Sequence, residues 1–243
     1  MVTLAVEHFR SLTPLCAGSI VWQLNDCWPV TSWAAVDGDG RLKPLWYALR
    51  RAYADRLLTI QPRDGGLAVI AVNDSGREWN TRVPVRRVDL SGAVLAQTEI
   101  ELRIPAREAA TTALPPLVAT AGDARAELLV AGEGAGRALW FFAEDREIGF
   151  PAAAFDAHVE ALTAGIRVTV TARTLLRDLT LFPDRVDPEA GVDEALVTLL
   201  PGESAAFTVR TGASGVAAGA AAWTAPPVLR CVNDITSSRP AGS

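Results

Sequence analysis

From residue 57 onward the chain is written in short runs of β-forming residues separated by turn residues, and that periodicity constrains the fold more than any other feature. Leu67-Ala-Val-Ile-Ala-Val72 ends in Asn73-Asp-Ser-Gly76, a strand followed by a turn. Residues 81–90 alternate imperfectly, and the doublet Arg86-Arg87 breaks the alternation, which predicts a bulge or a twist there. Ile100, Leu102 and Ile104 alternate with Glu99, Glu101 and Arg103, and further strands are expected at 126–130 and 137–142. Gly132-Glu-Gly-Ala-Gly136 between those two lacks the Lys-Ser/Thr ending of a phosphate loop and reads as a hairpin turn. Residues 165–172, 177–182 and 206–210 supply a second set of strands, whereas 150–162 does not declare itself. Strands at this spacing predict immunoglobulin-like β-sandwiches.

The first 56 residues follow another pattern. Residues 3–11 carry helical spacing, and Pro14 stops the helix. Gly18-Ser-Ile-Val-Trp-Gln-Leu24 is a continuous apolar run of the kind found in strands buried on both faces. A turn-rich stretch, 25–40, leads to a second helix over 42–56, with Pro44 in its first turn and Arg50, Arg51 and Arg56 toward its C-terminal half. Helix, buried strand, loop, helix is the repeating unit of an α/β barrel. The fold class expected is therefore mainly β with a small α/β N-terminal piece: a terminal βα unit of a TIM barrel over 1–56, immunoglobulin-like β-sandwiches over 57–149 and 150–213, and an Ala/Gly-rich linker and tail over 214–243 in which Val228 to Val232 could dock.

Some function classes recede at this point. The formal charge of -5 and the lack of any basic run argue against a nucleic-acid partner. No apolar stretch has the roughly 18 residues of a membrane span, and residues 1–12 do not read as a signal peptide, so a cytoplasmic chain without a membrane partner is expected. Cys16, Cys27 and Cys231 have neither metal-site nor disulfide spacing and are expected to be buried, inert thiols. With only His8 and His158 present, no Ser/His/Asp set can be argued, and no metal or cofactor is expected.

The densest chemical signal is Trp22-Gln-Leu-Asn-Asp-Cys-Trp-Pro-Val-Thr-Ser-Trp33. Indole faces stack on the C–H faces of pyranoses, and Asn and Asp side chains hydrogen-bond to hydroxyls. After a barrel strand such residues sit at the C-terminal mouth, where barrel active sites lie. The plainer reading is that Trp28 and Trp33 pack the rim. Gly18 to Ala34, followed by Gly40-Arg-Leu-Lys-Pro-Leu-Trp-Tyr47, resembles the eighth barrel strand, loop and helix of family 2 glycoside hydrolases of the β-mannosidase type. Ala5-Val-Glu-His-Phe-Arg10 resembles the end of the preceding helix, Val72-Asn-Asp-Ser75 a strand end in the next domain, and Leu199-Leu-Pro-Gly-Glu203 a turn in the last.

That resemblance implies retaining, exo-acting hydrolysis of terminal β-D-mannose from an oligosaccharide or glycoprotein glycan, with two Glu residues on earlier barrel strands, the acid/base one preceded by Asn. No Asn-Glu pair occurs in this sequence, and Glu7 lies on a predicted helix. The resemblance assigns no catalytic residue here. It places Trp22 on the floor of the mannose subsite, with a cis peptide at Trp22–Gln23, puts Asn25 and Asp26 at the rim, and makes Trp28 a further binding candidate. The expectation is a C-terminal portion of a β-mannosidase, inactive by itself. The alternatives are a non-catalytic carbohydrate- or protein-binding sandwich module, or the small subunit of a split enzyme whose barrel is completed by a separate N-terminal chain.

Overall fold

A computed structural model describes residues 1–236, so the last seven residues of the expected tail lie outside the described residues. The chain divides into two compact units: residues 1–22, 48–89 and 93–149 form the first, and 23–47, 90–92 and 150 onward form the second. Helix α1 is Val2–Arg10 and helix α2 is Pro44–Ala52, with the division passing through α2 after Tyr47.

In the first unit, β1 (Arg56–Arg63), β2 (Gly66–Asn73) and β5 (Glu108–Ala113) form a three-stranded antiparallel sheet in the order β1-β2-β5. The long strands β3 (Trp79–Asp89) and β4 (Val94–Ile104) join β6 (Glu127–Ala131) and β7 (Ala138–Phe141) in a second sheet, ordered β4-β3-β6-β7. Helix α3 (Pro116–Ala119) connects β5 to β6. Period-two alternation puts Ile60, Val69, Val83, Val85, Ile100, Leu102 and Leu129 into one shared core between the sheets. The register shift lies between Arg87 and Val88, one residue from the doublet that announces it in sequence. The glycine-rich stretch is the turn of the β6–β7 hairpin.

The other face of the β1-β2-β5 sheet is polar where α1 lies on it. Thr59 and Gln61 are buried. Thr59 donates to Glu7 Oε2 (2.9 Å), Gln61 donates to Thr59 (2.9 Å), and Gln61 Oε1 meets His8 Nδ1 (3.2 Å). Arg10 pairs with Asp74 at 2.7 Å, and Arg63 donates to Ser11 at 2.6 Å. Burial pushes the Glu7 carboxyl above the usual carboxylate range, opposed by the Thr59 hydroxyl, Arg10 and Arg51. Helix α1 thus clasps the sandwich with its polar side, and its Leu4 and Phe9 are exposed.

In the second unit, β8 (Phe155–Leu162), β9 (Gly165–Ala172), β11 (Gly191–Val192) and β13 (Ser204–Arg210) form a sheet ordered β11-β13-β9-β8. Facing it are β10 (Leu176–Leu181), β12 (Val197–Leu199) and β14 (Leu229–Arg230), ordered β12-β10-β14. The uncommitted stretch 150–162 therefore contributes edge strand β8. Gly165 follows the tight β8–β9 turn at φ 131°, and a Cβ there would lie 1.9 Å from the Val209 carbonyl oxygen, so only glycine fits.

The expected linker and tail is largely structure. Residues 213–236 form α4 (Ala213–Ala217), α5 (Ala220–Thr224), β14 and α6 (Asn233–Thr236). Trp223 is 1% exposed and sits with Val228, Leu229 and Cys231 in the core shared with Val168, Val170, Leu179 and Phe207. Its indole N–H donates to the Gly215 carbonyl at 3.1 Å. Asn233 is buried, donates to the carbonyls of Pro151 (2.9 Å) and Leu175 (2.7 Å), and accepts from the Arg177 amide (2.9 Å). Small residues here allow close approach of the chain to the sheet rather than mobility. No helix of the described residues is long and apolar enough to cross a membrane.

Candidate functional site

The Trp-rich segment departs from the strand expected of it. Residues 18–24, expected as a buried strand, form no strand, and Ile20 and Trp22 are 97% and 76% exposed. The physical reason is pairing: an apolar strand buries itself only between neighbours, and none of the described strands pairs with this run. The Trp22–Gln23 peptide is trans, since the cis bonds of the described residues are Thr13–Pro14 and Pro226–Pro227.

Residues 23–47 of the second unit make an ordered loop. Asn25 and Leu42 each form a bridge with Val36. Ala35 and Val36 donate their amides to the Leu24 carbonyl at 3.0 and 2.9 Å, Asp26 N–H donates to Val36 at 3.0 Å, and Lys43 N–H donates to Ala35 at 2.9 Å. At the centre is the Asp26 carboxylate, whose side chain is 2% exposed. It accepts from the Ser32 hydroxyl at 2.7 and 2.8 Å and from Gln23 Nε2 at 3.2 Å, with Lys43 Nζ at 3.8 Å. Lys43 donates in turn to the Ser32 carbonyl at 2.9 Å. A buried carboxylate held by several donors is what keeps a loop without regular structure in one conformation. Asp26 is therefore an internal anchor of the loop, not a group lying open at a rim.

The remaining candidates point outward. Trp28 and Trp33 are 64% and 68% exposed, and Asn25, also exposed, donates to the Asp26 carbonyl at 3.1 Å. The Trp28–Pro29 backbone is pressed against Gly38, where a Cβ would stand 2.4 Å from the Trp28 carbonyl carbon. Ser32 lies within the Trp22–Trp33 motif and Gly38 among the turn residues of 25–40, but their part in fixing the loop with Lys43 has no signature in the sequence. Lys43 lies inside the Gly40–Tyr47 stretch singled out there, but only coordinates reveal that it turns back to Ser32. The loop brings Asn25, Asp26 and Trp28 together in one unit; Trp22 belongs to the other.

The second half of the loop is tied down separately. Asp37 accepts from the amides of Asp39 (2.9 Å) and Arg41 (2.8 Å), and these with the Arg41 guanidinium outweigh burial and hold its carboxyl below the usual range. Arg41 pairs with Asp39 at 2.8 Å and donates Nε to the Pro188 carbonyl at 3.1 Å. Tyr47 donates its hydroxyl to the Val192 carbonyl at 2.7 Å.

The buried carboxylates are each engaged by a structural partner. Glu127 faces Arg87 and the amides of Gly122 and Asp123, which outweigh burial and lower its pKa. Asp187 is lowered by the Thr211 hydroxyl and the amides of Glu189 and Gly212. Glu7 is held by Thr59. No group of three or more His, Cys, Asp or Glu among the described residues could hold a metal ion. The cysteines depart from expectation: Cys231 is buried, and burial pushes its thiol up to about 11, but Cys27 is exposed and Cys16 half-buried, because both lie outside the cores.

No protein-family model matches the chain. Over 36 residues, 15% of the chain, it is 58% identical to the β-mannosidases B of Aspergillus niger and Aspergillus terreus, a match that spans 4% of each relative. In structure it is similar to the β-D-mannosidase of Dictyoglomus thermophilum, with a TM-score of 0.73 and 23% identity, over 88% of this chain and 27% of that one. It is also similar to the exo-chitosanase of Amycolatopsis orientalis, with a TM-score of 0.61 and 18% identity, over 90% of this chain and 31% of that one. The chain thus spans about a third or less of the proteins it matches. In fold over most of its length, and in sequence over one short stretch, it is similar to the C-terminal region of family 2 glycoside hydrolases of the β-mannosidase type.

Proposed function

We propose that this chain is the C-terminal, non-catalytic portion of a retaining exo-β-mannosidase, and that the residue 23–47 loop contributes to its sugar pocket. The observation that carries this reading is the loop itself: Trp28 and Trp33 project into solvent from a backbone fixed by the buried Asp26 carboxylate. Rigid, exposed indoles are costly on a free surface and useful where a pyranose stacks. The likeness to β-mannosidases supports the choice of sugar.

In this reading Trp28 stacks on the mannose, Asn25 hydrogen-bonds a hydroxyl, and Asp26 positions both by holding the loop. Trp22, in the first unit, is a separate sugar-stacking candidate judged by its own exposure. The two carboxylates of retaining hydrolysis, roughly 5 Å apart, come from the remainder of the enzyme. The engagement of Glu7, Asp26, Glu127 and Asp187 in structural contacts supports that division of labour. The exposed Leu4, Phe9, Ile20 and Trp22 are the surface that the remainder covers.

The test is hydrolysis of an aryl β-D-mannoside by the purified chain, alone and combined with a polypeptide carrying the preceding barrel residues from the same source. No turnover alone and turnover in combination support the reading. Turnover by the chain alone, surviving removal of host glycosidases, overturns it. A self-sufficient binding module is the second reading, favoured by the complete core of each sandwich. It predicts glycan binding without any gain in activity on combination.

A further inference from the structure

The second unit contains a cleft of about 840 Å³ between the 37–47 part of the loop and the sandwich, apart from the outward-facing Trp28 and Trp33. That volume lies in the range of about 300–1,000 Å³ usual for ligand sites. Its apolar lining includes Leu42, Phe182 and Pro188. Its polar lining falls into two classes. Arg41 is committed: it is held by Asp37 and Asp39, donates Nε to Pro188, and so straps one wall to the other. Arg210, Glu189 and Asp184 are not: among the described residues their side chains make no hydrogen bond or ion pair, although all three line the same cleft.

Those free groups carry opposite charges. An anionic ligand would satisfy Arg210 and be repelled by Glu189 and Asp184, and a cation would meet the converse. A neutral polyol satisfies both, because each hydroxyl is donor and acceptor at once. The planar guanidinium and the carboxylates can each engage adjacent hydroxyls in a two-pronged manner. Apolar and aromatic lining suits the C–H faces of a sugar ring. We propose that this cleft is a second, non-catalytic carbohydrate site that takes a neutral oligosaccharide, with Arg210 and Glu189 as its principal hydrogen-bonding groups.

The test uses the full chain and β-1,4-mannobiose, followed by calorimetry and by amide chemical shifts. Millimolar affinity is expected, with shifts at Gly191 and Gly212, which line the cleft. Arg210→Ala should weaken binding about 10-fold, the loss of one charged hydrogen-bonding group, and Glu189→Gln should weaken it several-fold. Both positions are exposed, and melting curves confirm that each variant folds. Four results overturn the assignment: no binding, binding indifferent to both substitutions, displacement of the sugar by inorganic phosphate, or binding abolished by Trp28→Ala instead. The last places the sugar on the loop, which sinks the cleft and leaves the proposed function standing. Failure of the combined mannosidase assay with cleft binding intact does the reverse.

Discussion

Replacing Asp26 with Ala isolates the element on which the proposed sugar-binding role depends. The carboxylate accepts hydrogen bonds from Ser32 and Gln23 and faces Lys43 at 3.8 Å, with its own side chain 2% exposed. A hydrogen bond to a charged group contributes about 1.5–3 kcal/mol net. The Lys43 attraction is about 4 kcal/mol gross at an effective dielectric near 20, most of it offset by desolvation of the buried carboxylate. The Ser32 hydroxyl and the Lys43 ammonium, both only half-buried, regain water in the variant. The net loss is then about 3 kcal/mol, confined to the loop. At about 1.4 kcal/mol per tenfold, the loop should open more than 100-fold more often. Hydrogen exchange reads this at the Ala35 and Val36 amides, which donate to the Leu24 carbonyl. Exchange should accelerate by about that factor in Asp26→Ala and by about 10-fold in Asp26→Asn, which keeps the shape and loses the charge. Exchange in β9 and β13 should not change. Protection of Ala35 and Val36 within twofold of the parent would refute the argument that Asp26 holds the loop.

Three further outcomes follow from the cores. Trp223→Ala should destabilise the second sandwich by about 3–5 kcal/mol, read in a denaturant titration, because the indole is fully buried and bonded to Gly215; a shift near zero would mean that residues 213–230 are dispensable. Gly165→Ala should disrupt the β8–β9 hairpin, since both the positive φ and the approach to Val209 exclude a Cβ; an unchanged melting temperature would contradict that geometry. Glu7→Gln tests the clasp through pH. The folded carboxyl titrates above its unfolded value near 4.5, so the folded state binds more protons between the two values and stability falls as pH rises through that window. The variant lacks this slope, so its stability relative to the parent should increase from acid toward neutral pH, and parallel curves would refute the assignment.

The sandwiches were legible because alternation is a local signal: Ile100, Leu102 and Ile104 face the core in sequence and in space, and Arg86-Arg87 marks the bulge to within a residue. Residues 213–236 were not legible, because Ala and Gly carry no periodicity and the partners of Trp223 lie far away along the chain. A single Trp in that stretch was the available signal. The Trp22–Trp33 segment marks a dense cluster but not its support, since Asp26 reads equally as ligand or anchor until Ser32 and Lys43 are placed around it. Residues 18–24 have the composition of a buried strand, and burial is the property a sequence cannot supply without neighbours to pair with.

The chain's proposed role as part of a β-mannosidase is tested most directly by depletion. Antibodies raised against its second sandwich should, when used to deplete a lysate of the source organism, remove aryl β-D-mannosidase activity in proportion to the chain. Activity left in full in the supernatant after the chain has been removed would contradict the claim.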